Sequence, residues 1–145
     1  MPTRSARTAW NGTLADGSGQ VELSSSKAGT YDVSFPKRTA EDAGGTTSPE
    51  ELIAAAHSSC YAMQLSAAIG AAGGTPESLE VTADVRVDKD PAGGLRITGV
   101  ALTVRGEVSG LDADGFADAA NKAKEGCAVS KALTGTEITL DASLS

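Results

Sequence analysis

The sequence predicts an α+β fold, and three observations carry that prediction. Short segments of alternating polar and apolar residues open the chain between Arg7 and Phe35. One long apolar segment, from Pro49 to about Ala71, has helix signals at both ends. Alternation then returns in a hairpin pattern and again at the carboxyl end, with a second helical segment between. Strands joined by hairpins and separated by helices give an α+β architecture. The 145 residues suit one domain, 1–145.

In the first part, Asp16-Gly17-Ser18-Gly19 is a turn signal, followed by the alternating Gln20-Val21-Glu22-Leu23-Ser24. Tyr31-Asp32-Val33-Ser34-Phe35 alternates in the same way. Residues Pro36 to Ser48, with Gly44-Gly45 among them, are expected to form a loop. Ser48-Pro49-Glu50-Glu51 then opens a helix. Ser48 is a favoured N-cap, Pro49 fits the first helical position, and two carboxylates fall in the positive first turn. Glu51 stands three residues after Ser48, the spacing of a capping box.

That helix is expected to run to about Ala71, roughly 34 Å at 1.5 Å per residue. Leu52, Ile53, Ala56, Cys60, Met63, Ala67 and Ile69 spread around it, so burial on most sides is expected. Gly73-Gly74-Thr75-Pro76 ends it. Val81, Ala83, Val85 and Val87 alternate with polar residues in a strand, and Lys89 to Gly94 makes a hairpin loop. Leu95-Arg96-Ile97 and Val100 to Val104 form the antiparallel return, with Gly99 at a bulge. Asp112 is an N-cap for a second helix, in which Phe116, Ala119, Ala120 and Ala123 recur at helical spacing and Gly126 supplies the stop. Ala128 to Leu133 is a further helical turn. In the last strand Ile138, Leu140, Ala142 and Leu144 share a face.

The formal net charge of −7 argues against a polyanionic partner, because nucleic-acid binding rests on clustered Lys and Arg, and these are scattered. No apolar run reaches the roughly 20 residues that cross a bilayer, so no membrane association is expected. The charged amino terminus has no apolar stretch behind it, and the cytoplasm is the expected location. Two cysteines in such a chain are free thiols or a redox pair. Aromatics make up only 3% of the residues, a thin core for the length, so a subunit interface is expected to add burial.

Cys60 lies in the long helix, where it is either a small core residue or a reactive thiol. Cys127 follows a glycine at the start of a short helical turn, where unpaired N–H groups would favour a thiolate. Arg38 and Glu50 are either solvated charges or, beside a reactive thiol, a cation and the carboxylate that holds it. His57, the single histidine, stands three residues before Cys60. A Cys60–His57 acyl-transfer pair is open on proximity, although neighbours on one helix align poorly for proton transfer. One histidine and two distant cysteines make a poor metal site, and no dinucleotide or phosphate-loop fingerprint is present.

Two segments carry a resemblance. Ser48-Pro49-Glu50-Glu51-Leu52-Ile53-Ala54-Ala55-Ala56-His57-Ser58-Ser59-Cys60 resembles the first-cysteine signature of the OsmC family, the osmotically inducible protein C and organic hydroperoxide resistance group. Lys122-Ala123-Lys124-Glu125-Gly126-Cys127-Ala128-Val129-Ser130-Lys131-Ala132-Leu133 resembles its second-cysteine segment. Ser48 replaces the usual Asn and Ala128 the usual Pro, and His57 with Val129 to Leu133 resembles the OsmC branch.

The resemblance implies an intertwined homodimer with long central helices wrapped by antiparallel sheets. It implies a thiol peroxidase for organic hydroperoxides, with Cys60 peroxidatic, Cys127 resolving, Arg38 and Glu50 as the Arg–Glu pair, and no metal or organic cofactor. An external dithiol would reduce the Cys60–Cys127 disulfide. The rival readings are the Cys60–His57 acyl-transfer enzyme and a non-catalytic dimeric binding protein with buried thiols.

Overall fold

The computed structural model describes every residue, Met1–Ser145. The elements are, in order, β1 (Arg7–Asn11), β2 (Ser18–Glu22), β3 (Thr30–Val33), α1 (Phe35–Thr39), α2 (Pro49–Ala71), β4 (Thr75–Lys89), β5 (Leu95–Ser109), α3 (Ala113–Gly126), α4 (Ala128–Ala132) and β6 (Glu137–Leu144). The chain divides into two compact units, Met1–Leu52 and Ile53–Ser145.

In the first unit β1, β2 and β3 form an antiparallel meander in that order. Trp10 faces Gly19 and Val21 faces Tyr31 across its ladders. Of its large apolar side chains only Val21 is buried, while Trp10, Leu14 and Tyr31 are exposed. The segment expected to be a loop starts as a helix instead. Ser34 leaves β3 in extended conformation and its hydroxyl accepts from Lys37 N–H at 3.3 Å, and Pro36 fits the first turn, so α1 forms. A lone parallel bridge joins Val33 to Thr47, whose N–H donates to the Asp32 carbonyl at 3.0 Å. The start of α2 is thereby held beside the end of β3.

Helix α2 begins where the sequence places it. Glu51 N–H donates to Ser48 Oγ at 3.1 Å, but the Glu51 carboxylate accepts from the Thr47 hydroxyl at 2.6 Å rather than completing a capping box. Its end is a Schellman motif. Gly74 N–H reaches the Ile69 carbonyl and Gly73 N–H the Gly70 carbonyl, with Gly73 at φ +89°, a conformation glycine adopts without strain.

The second unit holds a sheet in the order β4-β5-β6. The β4–β5 hairpin is antiparallel, and its register slips where Arg86 faces Gly99 but Val87 faces Ile97, the bulge expected near Gly99. Strand β6 runs parallel to β5, which the intervening α3 and α4 make possible by carrying the chain back. Its Ile138, Leu140, Ala142 and Leu144 all turn toward the core. Asp112 caps α3 through Gly115 N–H at 2.8 Å. Gly126 is the last helical residue rather than the breaker beyond it, and Cys127, in extended conformation, both ends α3 and starts α4.

The core joins Tyr61, Leu65 and Ile69 of α2 to Val100, Leu102 and Val104 of β5 and to Phe116, Ala119, Ala120 and Ala123 of α3. Gly106 lets this core close tightly, since a Cβ there would come to 3.0 Å from Leu79 and 3.1 Å from the Phe116 ring and one of them would have to shift. Burial on most sides of α2 is not observed within the chain. Its buried stripe is His57, Tyr61, Leu65 and Ile69, while Ala56, Met63 and Ala67 are exposed. A helix so rich in alanine shows no sharp apolar face, and the bulkiest side chains decide which stripe turns inward.

Candidate active site

Two pairs of side chains meet, one in each unit. In the first unit, Arg38 projects from α1 and Glu50 from the first turn of α2, elements drawn together by the Val33–Thr47 bridge. Arg38 Nε donates to both Glu50 oxygens at 3.0 and 3.2 Å, and Nη2 donates to Oε1 at 2.6 Å. One edge of the guanidinium is therefore fixed, and Nη1 is left to face another acceptor. Glu50 is buried at 8% exposure and the Arg38 side chain retains 28%. This pair is far more desolvated than the surface pairs Lys27–Glu22 or Lys122–Asp118, and so is less screened by solvent. Lys37, the neighbouring cation, is exposed and forms no ion pair with Glu50.

Arg38 also stands in the wall of a largely apolar groove of about 260 Å³, lined by Trp10, Leu14, Val33, Phe35, Pro49 and Leu52 among others. It lies wholly in the first unit.

In the second unit, both cysteines are free thiols, Cys60 partly exposed and Cys127 fully buried. Cys60 packs against the core that contains Cys127, where its thiol favours the Cys127 thiolate. Cys60 reaches it from the middle of α2 and Cys127 from the junction of α3 and α4, where its N–H is tied to the Ala123 carbonyl at 2.9 Å. Burial pushes the Cys127 thiol up, but the Ser130 N–H, the Cys60 thiol, the Ser130 hydroxyl and the Val129 N–H together outweigh it. The net result is a thiol held below the ordinary cysteine range. Neither N–H meets the sulfur with full capping geometry, so their effect is that of oriented dipoles.

His57 is completely buried, and burial lowers its pKa. Its Nε2 lies 2.8 Å from Ser130 Oγ, and its Nδ1 has no partner. Neither nitrogen bonds Cys60, so the geometry of a Cys60–His57 acyl-transfer pair is absent. Tyr61, next to Cys60, donates its hydroxyl to the Ala120 carbonyl at 2.9 Å, and burial first, then the Cys127 charge, raises its pKa.

The cluster thus contains Ser130 and Tyr61, which inspection of the sequence did not single out. A signal for Ser130 was present. Cys127-Ala128-Val129-Ser130 puts a hydroxyl at the third helical position, from which it can reach back to the N-cap side chain. Together the two thiols can exchange between a dithiol and a disulfide, and the Arg38–Glu50 pair can bind an anion or polarise an oxygen.

Residues 41–142 match the sequence profile of the family described as OsmC-like protein. The chain is 44% identical over 132 residues to the Peroxiredoxin OsmC of Escherichia coli K12, covering 91% of this chain and 90% of that one. Among solved structures, an organic hydroperoxide resistance protein from Elizabethkingia anophelis superposes with a TM-score of 0.81 at 26% identity, covering 100% of this chain and 98% of that one. The organic hydroperoxide resistance protein OhrB of Bacillus subtilis gives 0.72 at 27% identity, covering 97% and 98%.

Proposed function

This chain belongs to the OsmC family, and on that premise we propose that it is a cysteine-based peroxidase that reduces organic hydroperoxides, with Cys60 attacking and Cys127 resolving. The observation that carries the proposal is the meeting of one accessible and one buried thiol on separate helices, in a chain similar to a named peroxiredoxin.

The Cys60 thiolate attacks the distal oxygen of the hydroperoxide. An S–O bond forms and the O–O bond breaks, and the alkoxide leaves and takes up a proton as the alcohol. Cys127 then displaces hydroxide from the Cys60 sulfenic acid, which gives the disulfide and water. A dithiol from outside the chain reduces that disulfide by exchange. Cys60 takes the first step because a peroxide can reach it, whereas Cys127 has no exposed surface.

Arg38 is assigned the cation that favours the thiolate and polarises the departing oxygen, and Glu50 the carboxylate that orients it. In this reading the chain, 1–145, is one OsmC-like domain. The working protein is an intertwined homodimer. The exposed face of α2, with Ala55, Ala56, Met63 and Ala67, and the exposed Trp10 and Leu14 supply apolar surface for the second copy. No helix is long and apolar enough to cross a membrane, and a cytoplasmic location is part of the proposal.

The test is a thiol titration before and after one equivalent of cumene hydroperoxide. Loss of both thiols with release of one equivalent of alcohol is expected. Retention of both would overturn the peroxidase reading in favour of a binding protein.

A further inference from the structure

The buried His57 is unexplained by the reaction as drawn. It has one partner and one orphaned nitrogen, and leaving a buried polar atom unsatisfied costs stability. Its single partner, Ser130 Oγ, lies 73 positions away in sequence and joins α2 to α4. Ser130 is itself buried at 8% exposure and is the third residue of α4, whose N-cap is Cys127, so its hydroxyl and N–H lie on the side of the helix start that favours the Cys127 thiolate. His57 is thus bonded to a serine that stands three residues after Cys127, the N-cap of α4, so His57, Ser130 and Cys127 form one buried group in the second unit with the partly exposed Cys60 packed against the same core.

The group has a direction. Ser130 has one hydroxyl proton and cannot give it to both His57 and Cys127. If the proton points to the sulfur, Ser130 Oγ must accept from His57 Nε2–H. Burial keeps the ring neutral, so Nδ1 then carries only a lone pair. An orphaned acceptor is tolerated more readily than an orphaned N–H donor, which the opposite tautomer would leave at Nδ1.

We propose that His57 is a positioning residue for Cys127: its Nε2–H holds the Ser130 oxygen so that the hydroxyl proton is turned onto the Cys127 sulfur and the thiolate is favoured. The other titratable groups at Cys127 are Cys60 and Tyr61, both on α2, and Tyr61 stays neutral. The core side chains from α3 and β5 are Phe116, Ala119, Ala120, Ala123, Val100, Leu102 and Val104, none of which titrates.

That Cys127 resolves a sulfenic acid rests on the proposed function; that His57 acts on its thiol through Ser130 does not. In the resolving step the Cys127 thiolate attacks the Cys60 sulfur. The S–S bond forms, and the S–O bond breaks with both its electrons leaving on hydroxide. That hydroxide takes up a proton equal to the one Cys127 gave to solvent. Neither an oxidant nor a reductant is consumed in this step.

The relay is tested in Cys60→Ser protein, where Cys127 is the remaining thiol, by following thiolate absorbance against pH. Ser130→Ala and His57→Leu are each expected to raise the midpoint by about one pH unit. Combined, they should raise it no further, because they break the same relay. Ser130→Thr and His57→Gln, which keep a hydroxyl and an N–H donor, should restore most of the shift. Equal midpoints for His57→Leu and His57→Gln, with melting curves showing both folded, would overturn the relay. So would additive effects of the two losses. In the protein with both thiols, one equivalent of cumene hydroperoxide should yield disulfide more slowly in Ser130→Ala. A protein that consumes no peroxide yet shows the midpoint shifts would refute the proposed function and leave the relay standing.

Discussion

The two units differ in how much each can bury by itself. The first, Met1–Leu52, has one buried large apolar side chain, Val21, and leaves Trp10, Leu14 and Tyr31 in the open. The second, Ile53–Ser145, closes a core of strand, helix and thiol side chains around Phe116. The thiols are carried by the unit that has a closed core, and the Arg38–Glu50 pair by the unit that does not. Buried polar groups are held firmly only when their surroundings are over-determined. In the first unit the desolvated ion pair and the α1 cap supply order that its apolar packing does not. The two thiols thus lie in one unit and the desolvated Arg38–Glu50 pair in the other.

The largest effect that can break this comparison is at the thiols. Cys60→Ser should abolish peroxide consumption, and Cys127→Ser should allow about one turnover before stalling as a sulfenic acid. Sustained turnover of Cys127→Ser with a dithiol present would mean that the sulfenic acid is reduced directly. In the first unit, Arg38→Ala should slow single-turnover oxidation of Cys60 by about two orders of magnitude. Arg38→Lys should recover little, because an ammonium cannot hold Glu50 with one edge and face the substrate with another. Glu50→Gln should cost less than Arg38→Ala, since the cation survives and loses only its anchor. An unchanged rate in Arg38→Ala would move the cation elsewhere.

Stability sharpens the same contrast. Phe116→Ala should destabilise by about 3–5 kcal/mol in chemical unfolding, as for other large aromatic truncations in closed cores. Trp10→Ala should do far less to a single chain and should instead weaken self-association. Light scattering on the unaltered protein is expected to report twice the 14.5 kDa chain mass, with unfolding on dilution. A stable species at the chain mass would count against the dimer.

The smallest expected effect is on pH. Burial lowers the His57 pKa, so the unfolded chain takes up a proton at a higher pH than the folded one. Stability should be complete above about pH 6.5 and decline as pH falls below it, until the folded histidine also protonates. His57 is the only histidine, so His57→Gln should flatten the melting temperature between about pH 5 and 7. A slope that survives the substitution would assign it to carboxylates.

Taken alone, the sequence determined every element but one. The Ser48 cap, the Gly73 stop, the Asp112 cap and the period-two alternation of β4 and β6 act over a few residues, and each is where the local chemistry puts it. The OsmC resemblance was legible for the same reason, since its two cysteine segments are continuous stretches of chain. Helix α1 was hidden because its cap, Ser34, also continued the alternation of β3. Tertiary structure decided everything that joins distant positions. It paired β6 with β5 in parallel, turned the His57–Tyr61–Leu65–Ile69 stripe of α2 inward, and brought Arg38 to Glu50. It also set His57 against Ser130, an encounter that no spacing along the chain announces. The physical reason is range. Capping and periodicity are fixed by neighbours along the backbone, whereas a buried polar contact depends on which surfaces the folded chain presses together.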